Sequence, residues 1–330
     1  MNQILESIVL FTAFFGPALF SAPASVENTA SKTPYRTETD HFEFTYDVTL
    51  PTLTGAQKGM LWVPIPASDD FQKVTELRHQ LPVGNTIKPH FSIDPDFKNK
   101  VANFEFTAKD GGKKISYVYK VERREKTPYA AAKGTNQIYL KSEPLTPLNE
   151  RFKKIAIEVS AGKKNSLETG RAIYDYVLSY MKYDKSGTGW GRGDAVYACD
   201  AKTGNCTDFH ALFIAIARSA GIPARFAVGF TVPPAKDDGA IEGYHCWAEF
   251  LADGKWIPVD ISEASKAPET KDYYFGHHPA NRFEMSRGRF FNVMPQTSEG
   301  PINFLVHPYL EIDGKAGKFS GNYSFKRLLK

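Results

Sequence analysis

The chain has 330 residues, enough for about two domains at ~150 residues each. Hydrophobic residues at 42% and charged residues at 24% exclude wholesale disorder, collagen and coiled coil. Forty-one basic against thirty-seven acidic side chains leave +4, and no run of five like charges forms an arm for nucleic acid. Aromatics at 13%, mostly Tyr and Phe, suit a β-rich protein, and three cysteines are too few for a disulfide framework.

The chain opens on an apolar run, residues 8–20, broken only by Thr12 and by Gly16-Pro17. It is too short for a ~30 Å hydrocarbon layer, which needs ~20 residues. Ala22-Pro23-Ala24 then offers small residues for cleavage after Ala24. Residues 1–24 are expected to be a secretory signal, which places the mature protein in the periplasm or outside the cell. The start carries Glu6 and no Lys or Arg, so an uncleaved anchor is the alternative and the one expected membrane contact. Residues 25–34 read as a polar linker.

From residue 35 the signals are strands. Phe42, Phe44, Tyr46, Val48 and Leu50 alternate at period two, as do Tyr117, Tyr119 and Val121. Asp110-Gly111-Gly112 marks a turn. Residues 35–148 are expected to form a β-rich, sandwich-like N-terminal domain, ending in a Pro-marked boundary at Pro128, Pro144 and Pro147. The next segment, 149–265, changes period. Ala172, Ile173, Tyr176, Val177 and Tyr180 recur at helical spacing, as do Phe209, Leu212, Phe213, Ile216 and Ala220, and Gly221-Ile222-Pro223 stops the second helix. Strands are expected at residues 225–232, 244–251 and 256–262. Residues 266–330 are expected to form a C-terminal β segment packing on this core, with strand-like runs at 290–294 and 302–306. The fold class is therefore α+β.

Cys206 stands directly before the Phe209 helix. A thiol at a helix N-terminus meets unpaired N–H groups and the positive end of the macrodipole, which favours thiolate, the nucleophilic form. The same amides can receive an oxyanion. A small buried hydrophobe is the other fate of such a cysteine. The later hairpin adds to this. Asp253-Gly254 is a two-residue turn signal, which sets Ala252 opposite Lys255. Cys246, Ala248 and Phe250 then oppose Ile261, Val259 and Ile257 on an apolar face. The other face carries His245, Trp247 and Glu249 against Ser262, Asp260 and Pro258. His245 and Asp260 become diagonal neighbours, and a one-residue slip would expose the apolar set. An imidazole with a carboxylate beside it is what a cysteine nucleophile needs, unless the pair serves stability alone.

Gly204-Asn205-Cys206-Thr207-Asp208, Gly221-Ile222-Pro223-Ala224-Arg225, Tyr244-His245-Cys246-Trp247-Ala248-Glu249-Phe250 and Trp256-Ile257-Pro258-Val259-Asp260 together resemble the transglutaminase-like superfamily, over roughly residues 165–262. The resemblance implies a papain-like core, a Cys-bearing helix packed on an antiparallel sheet. It also implies Cys206 as nucleophile, His245 as base and Asp260 as third member. The family includes crosslinking enzymes, peptidases, amidases and inactive scaffolds, so it constrains chemistry more than substrate. Its large members bind calcium, but this sequence has no acidic loop of EF-hand spacing. Trp190 could supply an oxyanion N–H, as an upstream Trp does in some relatives, though the spacing here is shorter and a structural aromatic is the other reading. His210, one turn after Cys206, either tunes the thiol or is a satisfied structural histidine. Cys199, Cys206, His210, His245 and Cys246 lack zinc-site spacing.

The expected protein is an exported cysteine enzyme without cofactor or metal, acting on amides of a protein or peptide substrate through a Cys206 thioester. Water gives hydrolysis and an amine gives transamidation, and no device that excludes water is evident. The alternative is an inactive binding scaffold. Cys199 and Cys246 either bridge or remain packed thiols.

Overall fold

The computed structural model describes residues 35–81, 87–132, 134 and 136–328, so the expected signal segment and linker, residues 1–34, lie outside the described residues. The described chain opens with β1 (Asp40–Thr49), β2 (Lys58–Ile65), β3 (Gln72–Gln80), β4 (His90–Ile93), β5 (Lys100–Thr107), β6 (Lys114–Arg123) and the short β7 (Tyr129–Ala130). Then come α1 (Glu150–Ser160), α2 (Ser166–Tyr180), β8 (Lys182–Tyr183), α3 (Ala195–Ala201), β9 (Thr203–Gly204) and α4 (Cys206–Ser219). They are followed by β10 (Ala224–Thr231), β11 (Asp238–Ala240), β12 (Tyr244–Ala252), β13 (Lys255–Val259) and α5 (Ile261–Lys266). The last strands are β14 (Arg282–Arg287), β15 (Tyr309–Ile312), β16 (Lys315–Ala316) and β17 (Ser320–Arg327).

The architecture is α+β with mostly antiparallel sheets, as expected. Among the described residues the strands make three five-stranded sheets, in the orders β11-β17-β1-β6-β3, β16-β15-β2-β5-β4 and β14-β10-β12-β13-β7. A parallel pair, β8-β9, leads into α4. The period-two pattern of β1 is realised directly. Phe42, Phe44, Tyr46 and Val48 are buried, and they pair with Val121, Tyr119, Tyr117 and Ile115 of β6. Each such aromatic contributes roughly 1.5–3 kcal/mol by leaving water. Phe44 meets Phe283 and Phe230 at ring-centroid distances of 4.7 and 5.1 Å, so the first sheet packs on the sheet that carries β10 and β14.

Residues 266–330, expected to pack on the core, are distributed over all three large sheets: β14 beside β10, β15 beside β2, and β17 between β1 and β11. The runs at 290–294 and 302–306 are not strands; Phe291 and Ile302 form one isolated bridge. Pro295 and Pro301 lie in the turn between them, and backbone bonds join Phe290 to Asn303 and Phe291 to Ile302. The boundary segment also contributes to the core sheet, since Tyr129 and Ala130 pair with Trp256 and Lys255.

Helix α4 runs through the middle of this assembly. Every residue from Cys206 to Arg218 is buried, so the helix is enclosed all round rather than amphipathic. Gly221 ends it at φ +76°, with the Ile222 N–H returning to the Ala217 carbonyl at 2.9 Å. The hairpin register is the expected one: Ala252 faces Lys255, Phe250 faces Ile257 and Ala248 faces Val259. Asp253 and Gly254 both take positive φ, 50° and 73°, as a two-residue primed turn requires. The expected strand at 256–262 stops at Val259, however. Asp260 caps α5 instead, its Oδ1 accepting from the Glu263 N–H at 3.1 Å.

Candidate active site

The site begins with the local chemistry of the α4 N-terminus. Asn205 is the N-cap, and its Oδ1 accepts from the Thr207 N–H at 2.9 Å. Asp208 reaches back and accepts from the Asn205 N–H at 3.0 Å, which completes a capping box. The same carboxylate accepts from Gly191 N–H at 2.7 Å and Gly193 N–H at 3.1 Å, tying down the loop around Trp190. Gly204 must be glycine: its φ is +154°, and a Cβ would stand 2.5 Å from Asp208 Oδ2. Cys206 is thereby held as the first helical residue, where its N–H has no intrahelical acceptor.

Facing Cys206 is the start of β12. His245 Nε2 donates to Asp260 Oδ2 at 2.7 Å, which leaves Nδ1 as the ring nitrogen free to serve the thiol. The Cys206 thiol interacts with both His245 and Cys246. A hydrogen bond from Cys246 and the neighbouring His245 hold it well below the usual thiol range, against the effect of burial. Burial alone would push His245 down, but the Asp260 carboxylate outweighs it and raises the imidazole to about 9. Burial would likewise raise Asp260, and the His245 and Arg282 cations instead hold it well below the carboxylate range. Both shifts run toward the thiolate–imidazolium form of the pair.

The residues singled out in the sequence divide by their contacts. Cys206, His245 and Asp260 come together. His210 is fully buried and satisfied: Nδ1 donates to the Cys206 carbonyl at 2.7 Å, and Nε2 accepts from the Ile261 N–H at 3.2 Å. It links the first turn of α4 to the start of α5, and burial pushes its imidazole below the usual histidine range. Trp190 is half-buried, with Lys185 Nζ 5.9 Å from its ring centroid, and the flanking amides of Gly191 and Gly193 are taken by Asp208. All three cysteines are free. Cys199 lies against the Tyr180 hydroxyl at 3.9 Å, and Cys246 Sγ lies 3.7 Å from His210 Nδ1.

The His245 face of the hairpin is not open. Trp247 and Glu249 are fully buried beneath Lys126, Tyr129, Arg225 and His278. Glu263, at 4.0 Å from His245 Nε2, and Ser262, donating to Asp260 Oδ1 at 3.1 Å, also belong to the surroundings. Asp208 was findable as the acidic partner of an Asn cap three residues earlier. Arg282, which donates to Asp260 Oδ2 at 3.2 Å, comes from a strand with no sequence signal.

Against known proteins, residues 153–261 match the family model described as the transglutaminase-like superfamily. The chain thus has a transglutaminase-like core. An uncharacterised protein of Haemophilus influenzae is 28% identical over 347 aligned positions, covering 90% of this chain and 93% of its own. The uncharacterised protein YebA of Bacillus subtilis is 26% identical over 146 positions, 38% of this chain and 20% of YebA. A solved structure from Cytophaga hutchinsonii, described as a candidate cysteine protease, overlays with a TM-score of 0.59 at 17% identity, covering 89% of this chain and 92% of that one. That last likeness is one of fold, and it extends well beyond the transglutaminase-like core. Among the described residues no helix is long and apolar enough to cross a membrane.

Proposed function

We propose that the protein is an exported cysteine enzyme that cleaves or exchanges amide bonds of a protein or peptide through Cys206. The observation that carries this reading is the 2.7 Å hydrogen bond from His245 Nε2 to Asp260 Oδ2 beside a thiol held at a helix start. Export rests on the apolar leader read from the sequence. The Cys206 thiolate attacks the amide carbonyl, and the unpaired Cys206 N–H is placed to stabilise the oxyanion. His245, already protonated, gives its Nδ1 proton to the leaving amine, the C–N bond breaks and a thioester remains. Water or a second amine then attacks the thioester, returns a proton to His245 and releases Cys206. Asp260 fixes the imidazole and balances its charge in both steps.

The decisive assay offers a glutamine-bearing peptide together with a labelled primary amine. Hydrolysis is expected to exceed amine incorporation, because the sequence shows no device that excludes water from the thioester. Absence of both products, with Cys206 no more reactive to iodoacetamide at neutral pH than an ordinary thiol, would favour the binding-scaffold reading instead.

The same assay carries a pH expectation. The productive state needs thiolate and imidazolium together. Activity should therefore rise on the acid side, where the lowered Cys206 loses its proton. It should fall again as His245 deprotonates near about 9. A profile still rising through pH 10 would contradict imidazolium as the proton donor.

A further inference from the structure

Asp260 carries more than the His245 bond. Its Oδ2 accepts from His245 Nε2 at 2.7 Å and from Arg282 NH2 at 3.2 Å. Its Oδ1 accepts from Ser262 Oγ and the Glu263 N–H, both at 3.1 Å. Four donors surround the carboxylate and fix its plane. Arg282 is fully buried at the first position of β14, twenty-one residues beyond the family-matched segment. Its NH1 donates to Thr231 Oγ1 at 3.1 Å, and its own carbonyl accepts from the buried Arg123 Nε at 2.7 Å. The Thr231 bond thus holds the guanidinium and the Arg123 bond anchors the backbone that carries it, with NH2 aimed at the oxygen that His245 uses.

The balance of charge gives this arrangement its consequence. With thiol and neutral imidazole, Asp260 and Arg282 cancel. With thiolate and imidazolium, the four groups cancel again. Without Arg282 the buried cluster would carry one uncompensated negative charge in either state, which a low-dielectric interior penalises. We infer that Arg282 is a positioning residue of this site, holding the Asp260 carboxylate in line with His245 and supplying the positive charge that balances it. The inference rests on the catalytic reading of Cys206 and His245. Its second effect is on acidity. Arg282 opposes protonation of His245, so the imidazolium stays acidic enough to release its proton to the leaving amine. The other groups around His245 are Cys206 and His210 from α4, Cys246 on its own strand, and Glu263 with its partner Lys266 from α5. Tyr274 and His278 flank Asp260 from the segment before β14.

The test compares Arg282→Met and Arg282→Lys with the parent in two readouts. These are the pH dependence of Cys206 alkylation by iodoacetamide and the kcat and KM of the amide assay. Arg282→Met is expected to move the alkaline step assigned to His245 upward by about one pH unit, as loss of a neighbouring like charge does. It should lower kcat by roughly 10²-fold with little change in KM. Arg282→Lys keeps the charge but not the fork, so it should restore the alkaline step and recover only part of kcat. An unmoved or lowered alkaline step in a folded Arg282→Met protein overturns the inference, as does full kcat in either variant. Should the Met variant fail to fold, the Lys variant decides alone: parental kcat there overturns the positioning role. Alkylation needs no substrate, so failure of the amide-cleavage reading leaves the first readout intact.

Discussion

Replacement of Cys206 by alanine is expected to lower turnover by roughly 10⁴-fold or more, since burial pushes the neighbouring Cys246 thiol up and makes it a poor substitute nucleophile. The loss should come without unfolding. Cys206 is buried, but it contributes one sulfur to a helix start whose capping is done by Asn205 and Asp208. Deleting that atom costs on the order of 1 kcal/mol, a shift of no more than about 2–4 °C in melting temperature. Thermal melts beside steady-state rates check both halves. Retention of more than a tenth of the parental rate would remove Cys206 from the mechanism. A collapsed melting temperature would mean that the thiol is structural after all.

Glu249→Ala is expected to be the more damaging change to stability, at about 3–5 kcal/mol. Glu249 is fully buried beside Lys126 at 3.1 Å and Arg225 at 2.6 Å, and it accepts from the Tyr129 hydroxyl at 2.9 Å. Its removal leaves the buried Arg225 guanidinium without a carboxylate and Lys126 with only Glu284 at 3.2 Å and Asp69 at 3.7 Å. Urea unfolding should show a lower midpoint at an unchanged slope. The effect also has a sign in pH. Burial pushes the Glu249 carboxyl up, yet Lys126 and Arg225 hold it well below its ordinary 4.5. In acid the unfolded chain therefore takes up the proton first, and the stabilisation is present above pH ~4.5 and lost below it. The gap between parent and variant should narrow as pH falls through that range. A gap constant down to pH 3 would place the stabilisation elsewhere.

How far the sequence revealed this site depends on the range of each interaction. The hairpin register was legible because Asp253-Gly254 and the alternation of Cys246, Ala248 and Phe250 are local and agree with each other. The same logic extended the strand to Ser262, where it failed. Asp260 has a stronger local option, capping α5, and that places its other oxygen against His245. His210 was open to two roles, and its two hydrogen bonds make it a structural link. Arg282 was illegible for a different reason. It reaches Asp260 only because β14 pairs with β10, and nothing in a run reading Arg-Phe-Glu-Met-Ser-Arg announces that partner. The sheets themselves obey the same limit. The alternation of β1 reveals a strand, but not that its neighbour is the last strand of the chain.

That neighbour sets an order of events in time. β17 lies between β1 and β11, and among the described residues β11 has no other partner in its sheet. During synthesis β1 can close on β6 early, yet its second edge stays open until residue 327 has emerged, nearly the whole chain later. Such late, long-range pairing slows folding and leaves an unsatisfied strand edge available to other chains in the meantime. A nascent molecule can therefore complete the α4 helix and the β12–β13 hairpin about sixty residues before its first sheet is sealed. Until then it is a chain that needs guarding from its own copies.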